Sequence, residues 1–216
     1  AGKMLEKAAS LDPRNREIRP MVSASFSKPW IEELGRRADV AFVVPATRQI
    51  SSNVDVAVVR PEAEAPPPGI SLNLIPTLAG DPLLLENGAP VPAGKACVLT
   101  RSAAEALEAQ AGGTISMEAR RRVGNDIETG RVPLRVAGIL DARASALKSL
   151  FAPLPVVEAV ERFKDGLAVP EYGWSGKTPA AYPVFDGLAV TLPSPLSPAE
   201  EFALYNGSGF SGLERQ

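Results

Sequence analysis

The chain has 216 residues, 45% of them hydrophobic and 22% charged, with 23 basic and 25 acidic side chains and a formal charge of -2. It contains no histidine and one cysteine, Cys97. That excludes Ser-His-Asp and Cys-His nucleophile systems, intramolecular disulfides, and metal sites built on imidazole or paired thiolates. The near-neutral charge gives no electrostatic footprint for nucleic acid.

No stretch approaches the ~20 apolar residues needed to cross a bilayer. The opening Ala1-Gly2-Lys3-Met4-Leu5-Glu6-Lys7 has no apolar run of a signal peptide behind its lysines. Without an initial Met, the chain reads as a piece of something longer. Met4, Leu5 and Ala8 share a short helical face that Asp12-Pro13 ends, because the residue before proline avoids the α region. Pro20 to Phe26 reads as a strand. Ser27 then caps a helix with Trp30, Ile31 and Leu34 inward and Glu32, Glu33, Arg36 and Arg37 outward. Val40 to Val44 is a buried-strand run stopped by Pro45, and Val54, Val56 and Val58 alternate within an extended Thr47 to Val59.

Residues 61–69, Pro-Glu-Ala-Glu-Ala-Pro-Pro-Pro-Gly, form a stiff extended connector. Beyond it the texture is short strands and turns. Ile70 to Ile75 alternates, turns follow at Gly80-Asp81-Pro82 and Asn87-Gly88, and Ala96 to Leu99 is a strand. Ser102-Ala103-Ala104-Glu105 has capping-box spacing and opens a helix that stops at Gly112-Gly113. Thr114 to Ala119 and Val132 to Leu140 bracket a polar 120–131 tip, whose Arg120-Arg121-Arg122 reads as a solvated charge run. Gly138 interrupts the second of these strands and marks a bulge or a close backbone approach.

Residues 153–165 carry the most regular amphipathic pattern. Val156, Val157, Val160 and Phe163 lie on one face, and Glu158, Glu161, Arg162 and Lys164 face out. A loop from Ala168 to Pro183 holds Tyr172, Trp174 and Tyr182, which form the candidate interaction surface, since aromatic residues on loops dominate interface energetics. Phe185 to Leu192 is a strand, and Ser197-Pro198-Ala199-Glu200 caps a last helix with Phe202 and Leu204.

Little of this carries chemistry. Cys97 lies in an apolar strand and reads as a small buried hydrophobe. The aspartates stand singly, with no acidic calcium loop, and neither Gly112-Gly113 nor Gly207-Ser208-Gly209 has phosphate-loop context. The reading is therefore an α+β chain that is not an enzyme, with no catalytic, cofactor-binding or metal-ligating residues and no cofactor.

Several short motifs, in order, resemble the extracytoplasmic domains of MacB-like and FtsX-like ABC-transporter permeases. They are Ala38-Asp39-Val40-Ala41-Phe42-Val43-Val44-Pro45, Leu78-Ala79-Gly80-Asp81-Pro82, Cys97-Val98-Leu99-Thr100 with Ala103-Ala104 and Leu107, Gly112-Gly113-Thr114-Ile115, and Leu134-Arg135-Val136-Ala137-Gly138-Ile139-Leu140. The resemblance covers roughly residues 28–165. It implies a periplasmic domain of a bacterial inner-membrane protein, carried between two transmembrane helices. Such a domain comprises a "porter" subdomain of strand–helix–strand units and an inserted strand-rich "sabre" subdomain. On this expectation residues 1–60 are a porter-like first unit, 61–69 a Pro-rich connector, and 70–150 a sabre-like insertion. Residues 151–216 then hold a helix, the aromatic loop and a partial return to the porter-like subdomain.

The family pattern also asks for a helix and another strand after Phe185–Leu192, whereas this chain stops soon after Gly209-Phe210. The implied partners are the transporter's cytoplasmic ATPase subunit, reached indirectly through the membrane, and a periplasmic partner protein or a lipid or peptide cargo. The alternative reading is a stand-alone periplasmic peptide- or protein-binding adaptor that adds a strand to an open edge. A third is an enzyme using paired carboxylates or Lys/Ser chemistry, which two carboxyl groups in one pocket would favour.

Overall fold

The computed structural model describes residues 14–18, 26–48, 52–60, 69–177, 184–185, 188–200, 202 and 213–214. The first helical face and Leu204 lie outside them, as do residues 61–68 of the connector and most of the Pro20 to Phe26 strand. The chain divides into two units: unit 1 joins Ala1–Ala46 to Pro183–Gln216, and unit 2 is Thr47–Tyr182.

Unit 1 opens with β1 (Asn15–Ile18), β2 (Phe26–Ser27), helix α1 (Lys28–Gly35) and β3 (Phe42–Pro45). The α1 start follows the local signals. The Ser27 side chain accepts from the Trp30 N–H, a proline sits in the first turn, and Ile31 and Leu34 are buried. Trp30 stacks on Phe26 with ring centroids 4.9 Å apart.

Unit 2 begins with β4 (Asn53–Val58) and β5 (Ile70–Thr77), followed by the single-turn helix α2 (Pro82–Leu85), β6 (Ala96–Thr100) and helix α3 (Arg101–Leu107). The long strands β7 (Thr114–Val123) and β8 (Asp126–Leu140) come next, then β9 (Ser149–Pro153) and helix α4 (Leu154–Lys164). The six strands close into a barrel in the order β4-β5-β9-β6-β8-β7. The pairs β5–β9 and β6–β8 are parallel and the other four antiparallel. Closure leaves the barrel with no open sheet edge.

Alternation places Val54, Val56, Leu72, Leu74, Ile115, Met117, Leu134 and Val136 in one core, which α3 and α4 extend with Ala103, Leu107, Val156, Val160 and Phe163. Removing each of these side chains other than Ala103 from water contributes roughly 1.5–3 kcal/mol. A second core on the outer face, Leu84, Ala89, Val98, Leu140 and Phe151, is covered by α2 and the coil after it.

Gly138 explains how β8 serves both cores. The β6–β8 register skips from Cys97↔Val136 to Val98↔Gly138, which is a bulge. One extra residue swaps the faces beyond it. A Cβ on Gly138 would stand 2.6 Å from Pro90 Cδ, so the close approach read from sequence is present as well.

The chain returns to unit 1 with β10 (Val184–Phe185), β11 (Leu188–Thr191) and β12 (Leu213–Glu214). Its main sheet runs β12-β1-β11-β3, and β10 pairs with β2. Val44, Leu188, Val190 and Leu192 are buried. Ser197 Oγ and the Glu200 carboxylate bond each other at 2.6 Å at the start of the last helical segment, as expected there.

Four expectations are corrected. First, the unit boundaries fall after residues 46 and 182, not 60, 70 and 150, because β4 pairs with β5 and β7 and α4 packs on the barrel. Second, the helix after β6 has Thr100 as its N-cap and begins at Arg101, so Ser102 is not its cap. The Thr100 and Ser102 hydroxyls instead donate to the Leu147 carbonyl at 2.8 and 3.1 Å, holding the entry to β9. That helix also ends at Glu108, in the left-handed conformation, well before Gly112. Third, Glu161 faces inward, 2% exposed. Fourth, residues 120–131 continue the two strands to a two-residue turn at Gly124-Asn125.

Asp81, which caps α2, gives a test of pH dependence. Its carboxylate accepts from Thr77 Oγ1 at 2.7 Å and from the Leu83 N–H at 3.0 Å. Burial nevertheless raises its pKa above the usual carboxylate value, against those hydrogen bonds. The folded state therefore holds the Asp81 proton more firmly than the unfolded chain. Its contribution to stability is full at low pH and is lost as pH rises through the folded value. Asp81→Asn keeps an acceptor and removes the charge. Denaturation midpoints across the carboxylate range are expected to lose that downward slope in this variant.

Candidate functional site

Of the three aromatic residues expected to form an interaction surface, Trp174 is buried. Tyr182 lies outside the described residues. Trp174 is 6% exposed and belongs to the barrel core, with Tyr172 packed half-buried against it. The loop after α4 folds back on itself through the bridges Leu167↔Lys177 and Val169↔Trp174 and a 3-10 turn at Pro170–Tyr172. This brings Trp174 edge-on to Phe163, with centroids 5.3 Å apart, and lets its Nε1–H donate to the Arg131 carbonyl at 2.9 Å.

Gly130 makes room for that indole, since a Cβ there would lie 2.6 Å from Trp174 Cδ2. Physically, the ring covers the strand backbone where a side chain is missing. The aromatic loop thus fastens the β7–β8 hairpin to α4 and presents no Trp174 surface to a partner.

Arg121 is the other half of this fastening and corrects the solvated-tip reading. Alternation along β7 puts Ile115, Met117, Ala119 and Arg121 on the inward face, and the Arg121 side chain is 6% exposed. Its guanidinium donates to the carbonyls of Phe163 at 2.8 Å, Leu167 at 3.2 Å and Ser175 at 2.8 Å. It also binds the Glu128 carboxylate through Nε at 2.7 Å and lies 4.2 Å from the Phe163 ring centroid. One cation therefore satisfies carbonyls at the α4 C-terminus and in the loop beyond it.

The outer face of the same strands carries a groove of about 330 Å³ lined by Asp55, Arg60, Ser116, Glu118, Arg120 and Arg131, among others. Asp55 and Glu118 are cross-strand neighbours, so two carboxyl groups do share one groove. Both are engaged by guanidinium groups. Arg120 reaches Asp55 at 3.2 Å and Glu118 at 3.3 Å, and Arg131 reaches Glu118 at 2.6 Å. Carboxylates held this way on an open barrel wall are suited to a surface ion network. A general acid needs the opposite setting, a carboxyl kept neutral by apolar surroundings. The signal that could have found this face was the β7 pattern, with Ser116, Glu118, Arg120 and Arg122 at every second position.

Cys97 sits inside the barrel, fully buried, and desolvation pushes its thiol up to about 12. Thiolate reactivity is correspondingly suppressed. A thiol-reactive chromogenic disulfide is expected to leave the native protein unmodified and to consume one equivalent after denaturation. Rapid modification of the native chain would contradict the barrel register around β6. Among the described residues there is no group of three or more acidic or cysteine side chains that could hold a metal ion. No described helix is long and apolar enough to cross a membrane.

No family model matches the chain, and no curated protein matches it. Among solved structures it is similar to the periplasmic region of MacB from Actinobacillus actinomycetemcomitans, at 14% identity and a TM-score of 0.48, covering 98% of this chain and 92% of that one. It is also similar to a domain of a protein assigned as a permease from Porphyromonas gingivalis, at 11% identity and a TM-score of 0.46, covering 94% of this chain and 91% of that one.

Proposed function

We propose that the chain is the non-catalytic extracytoplasmic domain of an ABC-transporter permease in a bacterial inner membrane. In this reading it engages substrate or a partner protein outside the membrane and passes on motion driven by a cytoplasmic ATPase. The observation that carries the reading is topological. Unit 1 is assembled from both halves of the sequence, with β1 between β11 and β12, while unit 2 is one continuous insertion. A domain held between two membrane spans needs its incoming and outgoing strands in the same body, so that displacement of the spans moves that body as a whole. The sequence resemblance over residues 28–165 supports the same assignment. So does the engagement of Asp55, Glu118, Arg121 and Glu161 in ion pairs within the second unit.

The stand-alone adaptor requires an open strand edge, which the closed barrel lacks. Among the described edges of unit 1, β3 spans four residues and ends in Pro45, and β12, β10 and β2 span two residues each, all poor templates for strand addition. The test is to replace this domain in the full-length transporter with a short flexible linker. ATP hydrolysis by the cytoplasmic subunit is expected to persist while transport is lost. Transport at the wild-type rate would contradict the proposal.

A further inference from the structure

Between β5 and β6 the chain leaves the barrel ladder and crosses its outer wall. The last strand pairing before this stretch is Thr77↔Pro153, and hydrogen bonding to the strands resumes where the Arg135 N–H donates to the Lys95 carbonyl at 2.9 Å. Among the described residues, the backbone hydrogen bonds of residues 78–94 close within the stretch itself. The Asp81 N–H donates to the Leu78 carbonyl, those of Asn87 and Ala89 to Leu84, and that of Gly88 to Leu85. The Asn87 side chain likewise donates to the Leu83 carbonyl at 2.8 Å. The Thr77–Asp81 hydrogen bond ties the stretch at its root on β5.

The stretch is seated by apolar contacts. Leu84 and Ala89 are buried against Val98, Leu140 and Phe151, with Ile75 and Val91 half-buried beside them. Attraction of this kind has no direction and no register to break, in contrast to a strand ladder. Gly80 and Gly94 bracket the stretch at φ +86° and +60°, a region other residues rarely adopt. A Cβ on either would meet nothing within 4 Å, so neither end is wedged in place by packing. The barrel beneath has its own closed ring of six strands.

We propose that Leu78–Gly94 is a strap that opens as one piece, hinged at Gly80 and Gly94, while the barrel stays folded. Opening bares Val98, Leu140 and Phe151 as an apolar face on the outside of the barrel. A segment with few buried side chains and no ladder to the strands opens at a lower free energy than the core it covers. The strap is independent of the transporter reading.

Adjacent positions on β6 separate strap opening from unfolding of the barrel. Cys97 belongs to the core inside the barrel and Val98 to the cluster under the strap. Modification by a thiol-reactive chromogenic disulfide is followed in the native sequence and in a chain carrying Cys97→Ala with Val98→Cys, each in increasing sub-denaturing guanidinium. The thiol of Val98→Cys is expected to react at least about tenfold faster than Cys97. Its rate should also rise with guanidinium no more than about half as steeply, because lifting the strap exposes less surface than unfolding the barrel. An equally steep rise for the two thiols would overturn the proposal, since the strap would then open only when the barrel does. Should that variant fail to fold, hydrogen exchange in the native sequence makes the same comparison. The Leu85 and Ala89 amides are expected to exchange at least about tenfold faster than amides in the middle of β6 and β8. Equal protection would overturn the strap.

Discussion

Arg121→Ala is expected to lower the stability of the barrel unit by about 3–5 kcal/mol, the usual cost of removing one partner from a buried, hydrogen-bonded charge set. The loss has three sources. The carbonyls of Phe163, Leu167 and Ser175 lose the guanidinium, but Phe163 keeps the Gly166 N–H at 3.0 Å and Ser175 is exposed to water, so the half-buried Leu167 carbonyl carries most of this loss, about 1–3 kcal/mol before relaxation. Glu128 loses its counter-charge. The Phe163 ring loses the cation against its face. Arg121→Lys keeps the charge but not the planar fork, so it recovers only part of the loss. Guanidinium denaturation with an unchanged m-value checks both variants. A cost below about 1 kcal/mol for Arg121→Ala would mean that water replaces the guanidinium, and the hairpin would not be fastened as described.

Trp174→Ala is expected to cost a comparable 3–5 kcal/mol, roughly what truncating a large buried aromatic costs. The pairing with Gly130 turns this into a sharper test. In the native background Gly130→Ala drives a Cβ to within 2.6–2.9 Å of three indole atoms. The ring must move, at a cost of about 1–3 kcal/mol. Once Trp174 is alanine there is nothing to strike, and Gly130→Ala should be neutral or slightly stabilising through the reduced entropy of the unfolded chain. The double-mutant cycle should therefore show a coupling of about 1–3 kcal/mol. Additive effects would mean that the indole does not cover Gly130.

The sequence made some of this legible and hid the rest for identifiable reasons. Helix α1 was readable because its signals are local, from the Ser27 cap to Ile31 and Leu34 on one face. The α4 stripe was readable too, except that Glu161 looks like any solvent-facing glutamate until Arg48 arrives from 113 positions earlier. Strand segments such as Asn53–Val58 were visible by alternation, but closure was not. It depends on parallel pairing of β5 with β9, and nothing within either strand names its partner. The porter-like and insertion boundaries were misplaced for that reason: β4 looks like a continuation of β3 until its hydrogen bonds are traced to β5 and β7.

The site was misread through two sound rules applied where tertiary packing overrides them. Three consecutive arginines are usually a solvated face, yet strand alternation turns the middle one inward. Aromatic residues in a long loop usually face partners, yet this loop closes over the hairpin. The bulge at Gly138 and the buried Cys97 were read correctly because each follows from one residue type in one setting.

The most direct test of the central claim is the topology of the full-length gene product in intact spheroplasts, labelled at Glu105→Cys with a membrane-impermeant maleimide. The account predicts labelling from outside while the protein resists extraction by alkaline carbonate, held by apolar segments of about 20 residues on each side of this chain. Release of the protein into the soluble fraction, or labelling only after lysis, would contradict it.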